Sequence, residues 1–269
     1  MNRNPLRPIR TDEVEAFQRD GVVCLRGLFD DDWVEALREA TATVVEHPTS
    51  LAIDHDAKTG KFFSAIYVWR ENEVFGKWAC ESPVAPVCAE LMGSHTARVY
   101  HDHLLVKEPG TDAPTPWHQD QPYFRVNGEQ LASLWIALDS VDSESGGVHY
   151  VKGSHRWGWF DPNVFKPGQV ATDEFPPGPD IENNLDKYEI LTWDLEPGDC
   201  TVHHGLTFHG GYGNASTDRR RRGHSVRIIG DDATYALRKK THPLPFEPDL
   251  EPGQPLASDL FPEVWRAAR

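Results

Sequence analysis

The sequence predicts a mainly β protein with flanking α-helices. The first observation is a change of character near Thr96, where helical apolar periodicity gives way to short runs rich in β-branched and aromatic residues. The second is that Gly, Pro, Asp and Ser separate those runs, which favours turns between strands. Their irregular, short spacing favours a sandwich or a barrel. The runs are ARVYHDHLLVKEPG, LASLWIALDSV, GGVHYVKGSH, CTVHHGLTFHGG and HSVRIIGDD.

The first third of the chain, about 11–95, is predicted to be mainly helical. Thr11 is a suitable N-cap for the helix TDEVEAFQRDG, and a short strand follows in VVCLRGLF. Asp30 caps a second helix, DDWVEALREATATVVEH, whose apolar residues recur at helical spacing. Ser82 caps a third, SPVAPVCAELMG, which has proline at its first position.

The remainder divides into a β core, a polar loop and a tail. The predicted core spans about 96–235 and is interrupted by a polar, proline-rich stretch at 161–188, which predicts a lid or a poorly ordered segment. The proline-rich tail, 236–269, predicts an extended arm with a last short helix. We find no internal repeat and expect residues 1–269 to form one domain.

Composition restricts the partners. Lys and Arg number 27 against 42 Asp and Glu, and the resulting net charge of −15 repels nucleic acid and anionic lipid surfaces. The sequence shows neither a signal-peptide pattern nor an apolar stretch approaching the roughly 20 residues of a membrane helix. The four cysteines are scattered, which favours reduced thiols in a cytoplasmic protein. We therefore expect a small-molecule substrate and no nucleic-acid or membrane partner, and the sequence does not indicate an oligomeric state.

Three residues indicate a metal site. In TPWHQDQPYF, His118 and Asp120 would share one face of an extended strand, so their ligand atoms reach one point. Among the thirteen histidines, His209 is the best third ligand, because it ends a predicted strand and precedes two glycines that let the backbone pass closely. Two histidines and one carboxylate on one face of the ion are typical of non-haem Fe(II) oxygenases, whereas structural zinc prefers four protein ligands.

Such an iron needs two further electrons, which a 2-oxo acid supplies. A long co-substrate such as 2-oxoglutarate also needs a cation for its distal carboxylate. Arg220, eleven residues after His209 in STDRRRRGHSVRI, offers a planar guanidinium for paired hydrogen bonds. Strand alternation puts Arg220 and Arg222 on one face, so we assign the role to Arg220 and keep Arg222 in reserve. Arg219 and Arg221 would then face the other way.

Five segments in this order resemble the phytanoyl-CoA dioxygenase family of Fe(II)/2-oxoglutarate oxygenases, namely PTPWHQD, LWIALD, GSHRWG, HGGYGNASTDRRR and IGDDATY. The opening FQRDGVVCLRGLF also fits, so the resemblance covers roughly residues 11–235. It implies a double-stranded β-helix of jelly-roll, cupin-like type with flanking helices. It also implies that His118, Asp120 and His209 bind iron and that Arg220 binds the distal carboxylate of 2-oxoglutarate.

The same resemblance suggests two further co-substrate contacts. Trp135, in LASLWIALD, is expected to line the pocket. Certain relatives carry a hydroxyl residue two positions after the distal histidine, where this chain has Gly211, so Thr115 or a strand residue is expected to supply that hydroxyl. The presence of Asp120 disfavours the halogenating branch, in which a small residue leaves a position for chloride.

Other side chains are candidates for the pocket wall. His101 and His103 share one strand face. Inside the barrel, His103 would contact 2-oxoglutarate and His101 the substrate; otherwise both are strand-edge residues. Tyr123 and Phe124 are expected either to line the substrate pocket or to pack in the core, and Trp157 either to stack on substrate or to pack a loop.

These features predict an enzyme that uses Fe(II), 2-oxoglutarate and O2. The expected reaction is hydroxylation of an unactivated C–H bond in a small metabolite or natural-product intermediate, with release of succinate and CO2. One alternative diverts the same oxidant to desaturation, cyclisation or epimerisation. An alternative of another class is a metal-binding jelly-roll module without redox chemistry.

Overall fold

The computed structural model of the protein describes residues 1–55, 57–162 and 174–268. Five helices precede most of the strands, and the strands form antiparallel sheets. The helices are α1 (Thr11–Asp20), α2 (Asp31–Glu46), α3 (Val68–Glu71), α4 (Glu73–Glu81) and α5 (Val84–Met92). The strands are β1 (Val22–Leu25), β2 (Ala52–His55), β3 (Phe62–Ile66), β4 (Thr96–Lys107), β5 (Thr115–His118), β6 (Val126–Asn127), β7 (Leu131–Ala137), β8 (Val148–Val151), β9 (Ile190–Leu191), β10 (Cys200–His204), β11 (His209–Gly211), β12 (Arg221–Ile229), β13 (Thr234–Tyr235) and β14 (Glu263–Arg266).

Two sheets make up the barrel. The larger has the strand order β1-β10-β7-β12-β4-β3-β2, and β14 pairs with β4. The smaller has the order β5-β11-β8-β9, and β6 pairs separately with β13. Non-sequential neighbours in both sheets and antiparallel pairing throughout are the topology of a jelly roll, so the predicted double-stranded β-helix is confirmed.

Local sequence explains where the helices begin and end. The Asp30 side chain accepts a hydrogen bond from the backbone N–H of Trp33 and starts α2. Asn72 caps α4 in the same way. Gly21 ends α1 with φ of 76°, and Gly93 ends α5 with φ of 68°, a left-handed conformation that glycine adopts without a Cβ clash.

The helices cover the outer face of the larger sheet. Apolar residues of α2, α4 and α5 and the outward residues of β4, β7, β10 and β12 form one buried core. In β4 the outward Leu104 and Val106 are 0% and 1% exposed, whereas the inward His103 and Leu105 are partly accessible. The outer face is therefore tightly packed, whereas solvent reaches these two inward side chains.

Some elements differ from the sequence-based expectation. The part that we predicted to be mainly helical also contains β2 and β3, whose short runs lie between polar turns and give little periodic signal. The tail ends in β14 rather than a short helix, because Glu263–Arg266 pairs with the free edge of β4. The predicted lid, 161–188, lies in part outside the described residues, and the extent of one domain over 1–269 stays a prediction.

Two expectations from composition can be compared with the structure. Within the ranges that the structure covers, no helix combines the length and the apolar character needed to cross a bilayer. All four cysteines are free thiols, and Cys88 and Cys200 are buried as small core residues.

Substitution of Trp78 on α4 tests the attachment of the helical layer. Trp78 is fully buried, with its ring 4.8 Å from that of Phe29 and 5.2 Å from that of Trp33. Trp78→Ala should lower the free energy of unfolding by about 3–5 kcal/mol, because it opens a cavity. Leu237→Ala, at a side chain that is 64% exposed, should change it by less than about 0.5 kcal/mol in the same urea titration. Equal effects of the two variants would contradict this packing.

Candidate metal centre

The smaller sheet brings the two predicted histidine ligands together. His118 ends β5 and lies directly opposite His209, the first residue of β11. Their ring centroids are 4.1 Å apart. Asp120 is not in the strand: it precedes a short 3-10 turn at Gln121–Tyr123 and has helical backbone angles. The turn nevertheless directs its carboxylate to the same point.

The ligand atoms of the three side chains converge inside the barrel. Oδ1 of Asp120 lies 3.5 Å from Nε2 of His118 and 3.9 Å from Nε2 of His209. All three residues are buried, and their candidate ligand atoms lie within 4.8 Å of one another. We call His118, Asp120 and His209 the triad.

Backbone carbonyls select the ring nitrogen that each histidine presents. Nδ1 of His118 lies 2.8 Å from the carbonyl of Pro116, and Nδ1 of His209 lies 3.0 Å from the carbonyl of Thr207. A carbonyl only accepts hydrogen bonds, so both Nδ1 atoms carry the proton and both Nε2 atoms keep a lone pair facing Asp120. This donor set fits a divalent metal ion.

Electrostatics favour the ligating protonation states. Burial would raise the pKa of Asp120, but Arg227, and after it the neighbouring imidazoles, hold that pKa well below its usual range. Burial lowers the pKa of His209 well below its usual range, and His118 and His203 add to the effect. The carboxylate is therefore ionised and the imidazole neutral, the forms in which both bind metal.

Arg220 does not enter the barrel, contrary to our prediction. Its side chain is about half exposed, and its Nε donates a hydrogen bond of 2.8 Å to Glu108. The reserve choice, Arg222, also faces outward, where its guanidinium forms a fork with Asp139.

Arg221 takes the inward position instead. Strand β12 begins at Arg221, which lies opposite Lys107 of β4, and this register turns the odd-numbered residues of β12 inward as far as Arg227. Strand alternation correctly separated Arg220 from Arg221, but a spacing counted from His209 could not show which of the two faces inward. An irregular connection, 212–220, separates the two strands.

Arg221 and Lys107 form a buried cation pair. They are 2% and 0% exposed. Arg221 Nη2 donates to the carbonyl of Gly146 at 3.0 Å and Lys107 Nζ to that of Tyr212 at 2.5 Å, so their hydrogen-bond partners within the described ranges are carbonyls and not carboxylates. Burial lowers the pKa of Lys107 to about 6, with Arg221 contributing, and the pKa of Arg221 to about 10.

Trp135 faces the barrel interior beside this cation pair, and its contact with the co-substrate stays a prediction. Trp135 lies opposite Ser225 of β12, and the Arg221 guanidinium is 5.6 Å from its ring centroid. A Cβ on Gly223 would come within 2.1 Å of the same indole, so glycine is what lets the ring lie flat on β12.

Thr115 lies opposite Gly211, beyond an irregularity in the pairing of β5 with β11, so alternation from His118 does not fix its face. It lines a surface cleft together with Trp117 and Glu182, and its co-substrate contact stays a prediction. The hydroxyls that do point into the barrel include those of Tyr150 and Thr201, which are hydrogen-bonded to each other at 2.7 Å.

Trp157 is also outside the barrel. It is 41% exposed and packs on Tyr188 and Phe208, with ring centroids 5.7 and 6.1 Å away. Because His209 faces inward, its neighbour Phe208 faces outward, and Trp157 covers it. Loop packing, one of the two predicted alternatives, is what the structure shows.

The remaining predicted residues lie on the inner side. The ring of His101 is 4.8 Å from that of Phe124, and its Nε2 has no hydrogen-bond partner among the described residues. His103 faces inward two residues along β4, opposite Ser225. The Tyr123 ring is 6.3 Å from that of His118 and is therefore near the triad.

Sequence reasoning missed several inward residues. Four of these residues follow the alternation of their strands, so knowing which face of each strand points inward would have identified them. They are His203, Lys107, Tyr150 and Arg227. His242 belongs to the tail, where no periodicity exists. Its backbone N–H donates to the carbonyl of Tyr123, and its half-buried ring is 5.3 Å from that of Tyr123.

A jelly roll in which two imidazoles and one carboxylate converge inside the barrel defines a mononuclear non-haem iron oxygenase. The model of the family "Phytanoyl-CoA dioxygenase (PhyH)" matches residues 17–223. This match spans most of the 269 residues, and the chain therefore belongs to the phytanoyl-CoA dioxygenase family. The predicted enzyme class and its cofactors, iron, 2-oxoglutarate and O2, are confirmed at the level of that class.

Relatives on this fold carry out different reactions. Dioxygenase aneA of Aspergillus aculeatus is 24% identical over 271 residues, covering 95% of this chain and 82% of the relative. The α-ketoglutarate-dependent carbocyclase SnoK from nogalamycin biosynthesis has a TM-score of 0.78 at 24% identity, covering 98% of this chain and 100% of that one. The epimerase SnoN, solved with Fe3+, α-ketoglutarate and nogalamycin RO, has a TM-score of 0.76 at 25% identity, over 94% and 98% of the two chains.

Removal of a triad side chain tests the metal centre. Asp120→Ala or His209→Ala should weaken Co(II) binding by more than roughly 100-fold, because each removes a ligand atom. His149→Ala is the matched control, since His149 lies near the surface cleft and its Nδ1 is 3.1 Å from the carbonyl of Gly147. Absorption titration with Co(II) measures all three variants. Unchanged binding in the two triad variants would show that the ion binds elsewhere.

Proposed function

We propose that the protein is an Fe(II)- and 2-oxoglutarate-dependent hydroxylase of an unactivated C–H bond in a small metabolite or natural-product intermediate. The observation that carries this proposal is the buried pair Lys107 and Arg221 in the barrel that holds the triad. A buried guanidinium beside a buried amine, neither of them hydrogen-bonded to a carboxylate among the described residues, is unfavourable unless an anion joins them, and an anion would also favour the charged form of the amine. The distal carboxylate of 2-oxoglutarate is such an anion.

Each part of the site has a role in this proposal. The triad holds iron through Nε2 of His118, Nε2 of His209 and the carboxylate of Asp120. Arg221 and Lys107 bind the distal carboxylate of 2-oxoglutarate, and the Trp135 ring covers its carbon chain. Iron with 2-oxoglutarate supplies the oxidising chemistry: O2 is consumed, 2-oxoglutarate is decarboxylated to succinate, and one oxygen atom enters the substrate.

The substrate binds farther along β12 from Arg221. His101 lies opposite Arg227, whereas Trp135 lies opposite Ser225, two residues nearer to Arg221. The aromatic rings of Phe124 and His242 surround His101, with centroids 4.8 and 5.8 Å from it. A small molecule with apolar surface and a few polar groups suits such a wall.

The four free cysteines support the predicted cytoplasmic location.

A second candidate function uses the same site and the same oxidant but leads to cyclisation or epimerisation of the substrate. It is favoured by the similarity to SnoK and SnoN over nearly the whole chain. Product mass separates the outcomes, since hydroxylation adds an oxygen atom, cyclisation or desaturation removes two hydrogens, and epimerisation leaves the mass unchanged.

Oxygen-dependent formation of succinate from 2-oxoglutarate tests the proposed function. Wild-type protein loaded with Fe(II) should form succinate, and a small-metabolite library should reveal compounds that accelerate it. His118→Ala and Asp120→Ala should abolish it. Iron-loaded wild type that forms no succinate under any of these conditions would support the non-redox metal-binding alternative.

The neighbouring arginines form a matched pair for testing the co-substrate contact. Arg221→Ala should weaken 2-oxoglutarate binding by roughly 10- to 100-fold, the effect of losing a charged hydrogen bond. Arg220→Ala removes the same group from the surface and should leave the affinity unchanged. Calorimetric titration of the Co(II)-loaded proteins measures both. A reversed order of the two variants would restore the assignment to Arg220.

The low pKa of Lys107 predicts that 2-oxoglutarate binding takes up a proton. With a pKa of about 6, Lys107 is mainly neutral in the free protein at a pH of about 7.5. A bound carboxylate favours the charged form, so the pKa rises and affinity falls as pH increases from about 6 to about 8.

Calorimetry in buffers of different ionisation enthalpy measures this proton uptake. Lys107→Met keeps the length of the side chain and should abolish the uptake. Equal uptake in wild type and variant would assign the proton to another group.

A further inference from the structure

The two oxygens of the Asp120 carboxylate have different neighbours. Oδ1 faces the Nε2 atoms of the two triad histidines, at 3.5 and 3.9 Å. Oδ2 accepts a hydrogen bond of 3.1 Å from Nε of Arg227 and lies 3.4 Å from Nε2 of His203. Oδ1 is therefore the oxygen directed at the metal position, while Oδ2 has the shorter hydrogen bond to Arg227 and faces His203.

Arg227 contacts the carboxylate at two points. Besides the bond from Nε, its Nη2 lies 3.4 Å from Oδ1. Arg227 is 5% exposed and enters from β12 between Ser133 of β7 and His101 of β4. A planar guanidinium held in this way fixes the plane of the carboxylate as well as its position.

His203 approaches the same oxygen from β10. It is 3% exposed, lies opposite Ser133, and has its ring 4.2 Å from that of His209. Its two ring nitrogens have no hydrogen-bond partner of good geometry among the described residues, although Nε2 is near Oδ2. His203 thus occupies the space on the side of Oδ2 that a metal ion bound by both oxygens would approach.

We propose that Arg227, with His203 beside it, is a positioning residue that restricts Asp120 to metal ligation through Oδ1 alone. This inference rests on the proposed function. A six-coordinate ion with two imidazoles and one carboxylate oxygen has three remaining positions, enough for a chelating 2-oxo acid and one further ligand. Ligation by both oxygens would remove one of those positions.

The charge of Arg227 separates the proposed positioning role from a role in strengthening metal binding. A cation beside a metal position repels the ion and weakens its binding. Loss of Arg227 should therefore not weaken metal binding in the way that loss of a ligand does. It should instead permit ligation by both oxygens and reduce the affinity for the chelating co-substrate.

Co(II) absorption spectra of Arg227 variants provide the test, because they report coordination directly. Arg227→Met should lose at most roughly 10- to 100-fold in Co(II) affinity, less than Asp120→Ala loses, show an altered visible spectrum, and bind 2-oxoglutarate roughly tenfold more weakly. Arg227→Lys keeps the charge but loses the fork, so its spectrum should also change. His203→Ala empties the space beside Oδ2 and should shift the spectrum in the same direction.

Arg222→Met is the matched control, since it removes a carboxylate-bound guanidinium from the outer face of the same strand. Its Co(II) spectrum should equal that of wild type. Unchanged spectra in the Arg227 and His203 variants, or loss of Co(II) from Arg227→Met as severe as in Asp120→Ala, would overturn the inference. Wild type that forms no succinate would instead contradict the proposed function, while the metal-only spectra would still decide how Asp120 is held.

Discussion

The antiparallel pairing of β5 with β11 sets His118 opposite His209, and the chemistry of the barrel depends on that register. A slip of one residue would turn His209 to the outer face and bring Phe208 inside. Close backbone approach helps to maintain the register, because a Cβ on Gly210 would lie 3.0 Å from the carbonyl oxygen of Thr115. Asp120 then needs only a short turn after β5 to reach the same point as the two imidazoles.

Charge inside the barrel is opposite in sign to charge on the whole chain. The protein carries a net charge of −15, yet Lys107, Arg221 and Arg227 point inward with Asp120 as the carboxylate of the triad. A cationic interior within an acidic protein attracts small anions that fit the barrel, whereas the surface disfavours polyanions at long range. Composition alone could not reveal this, because it sums over residues that face opposite ways.

The sequence predicted the fold class and the triad because those rest on strong local signals. The H-x-D pair, a histidine before two glycines and a series of short β runs each restrict the structure independently. The errors arise because the sequence does not show which face of a strand points inward or how the tail packs. Alternation separated Arg220 from Arg221 correctly, but only pairing with β4 shows which one faces inward. His242 gave no signal because its position depends on tail packing.

In the larger sheet, alternate residues of a strand serve different purposes: outward residues pack against the helices, and inward residues form the site. Along β12, Val226 and Ile228 pack against the helical layer, while Arg221, Ser225 and Arg227 face the barrel. One face can therefore change without rebuilding the other. A lineage using this scaffold can acquire new inward side chains, and so new substrates and reaction outcomes, while the outward residues continue to specify the same fold. Such a division makes the architecture evolvable, and relatives that include a carbocyclase and an epimerase are the expected result.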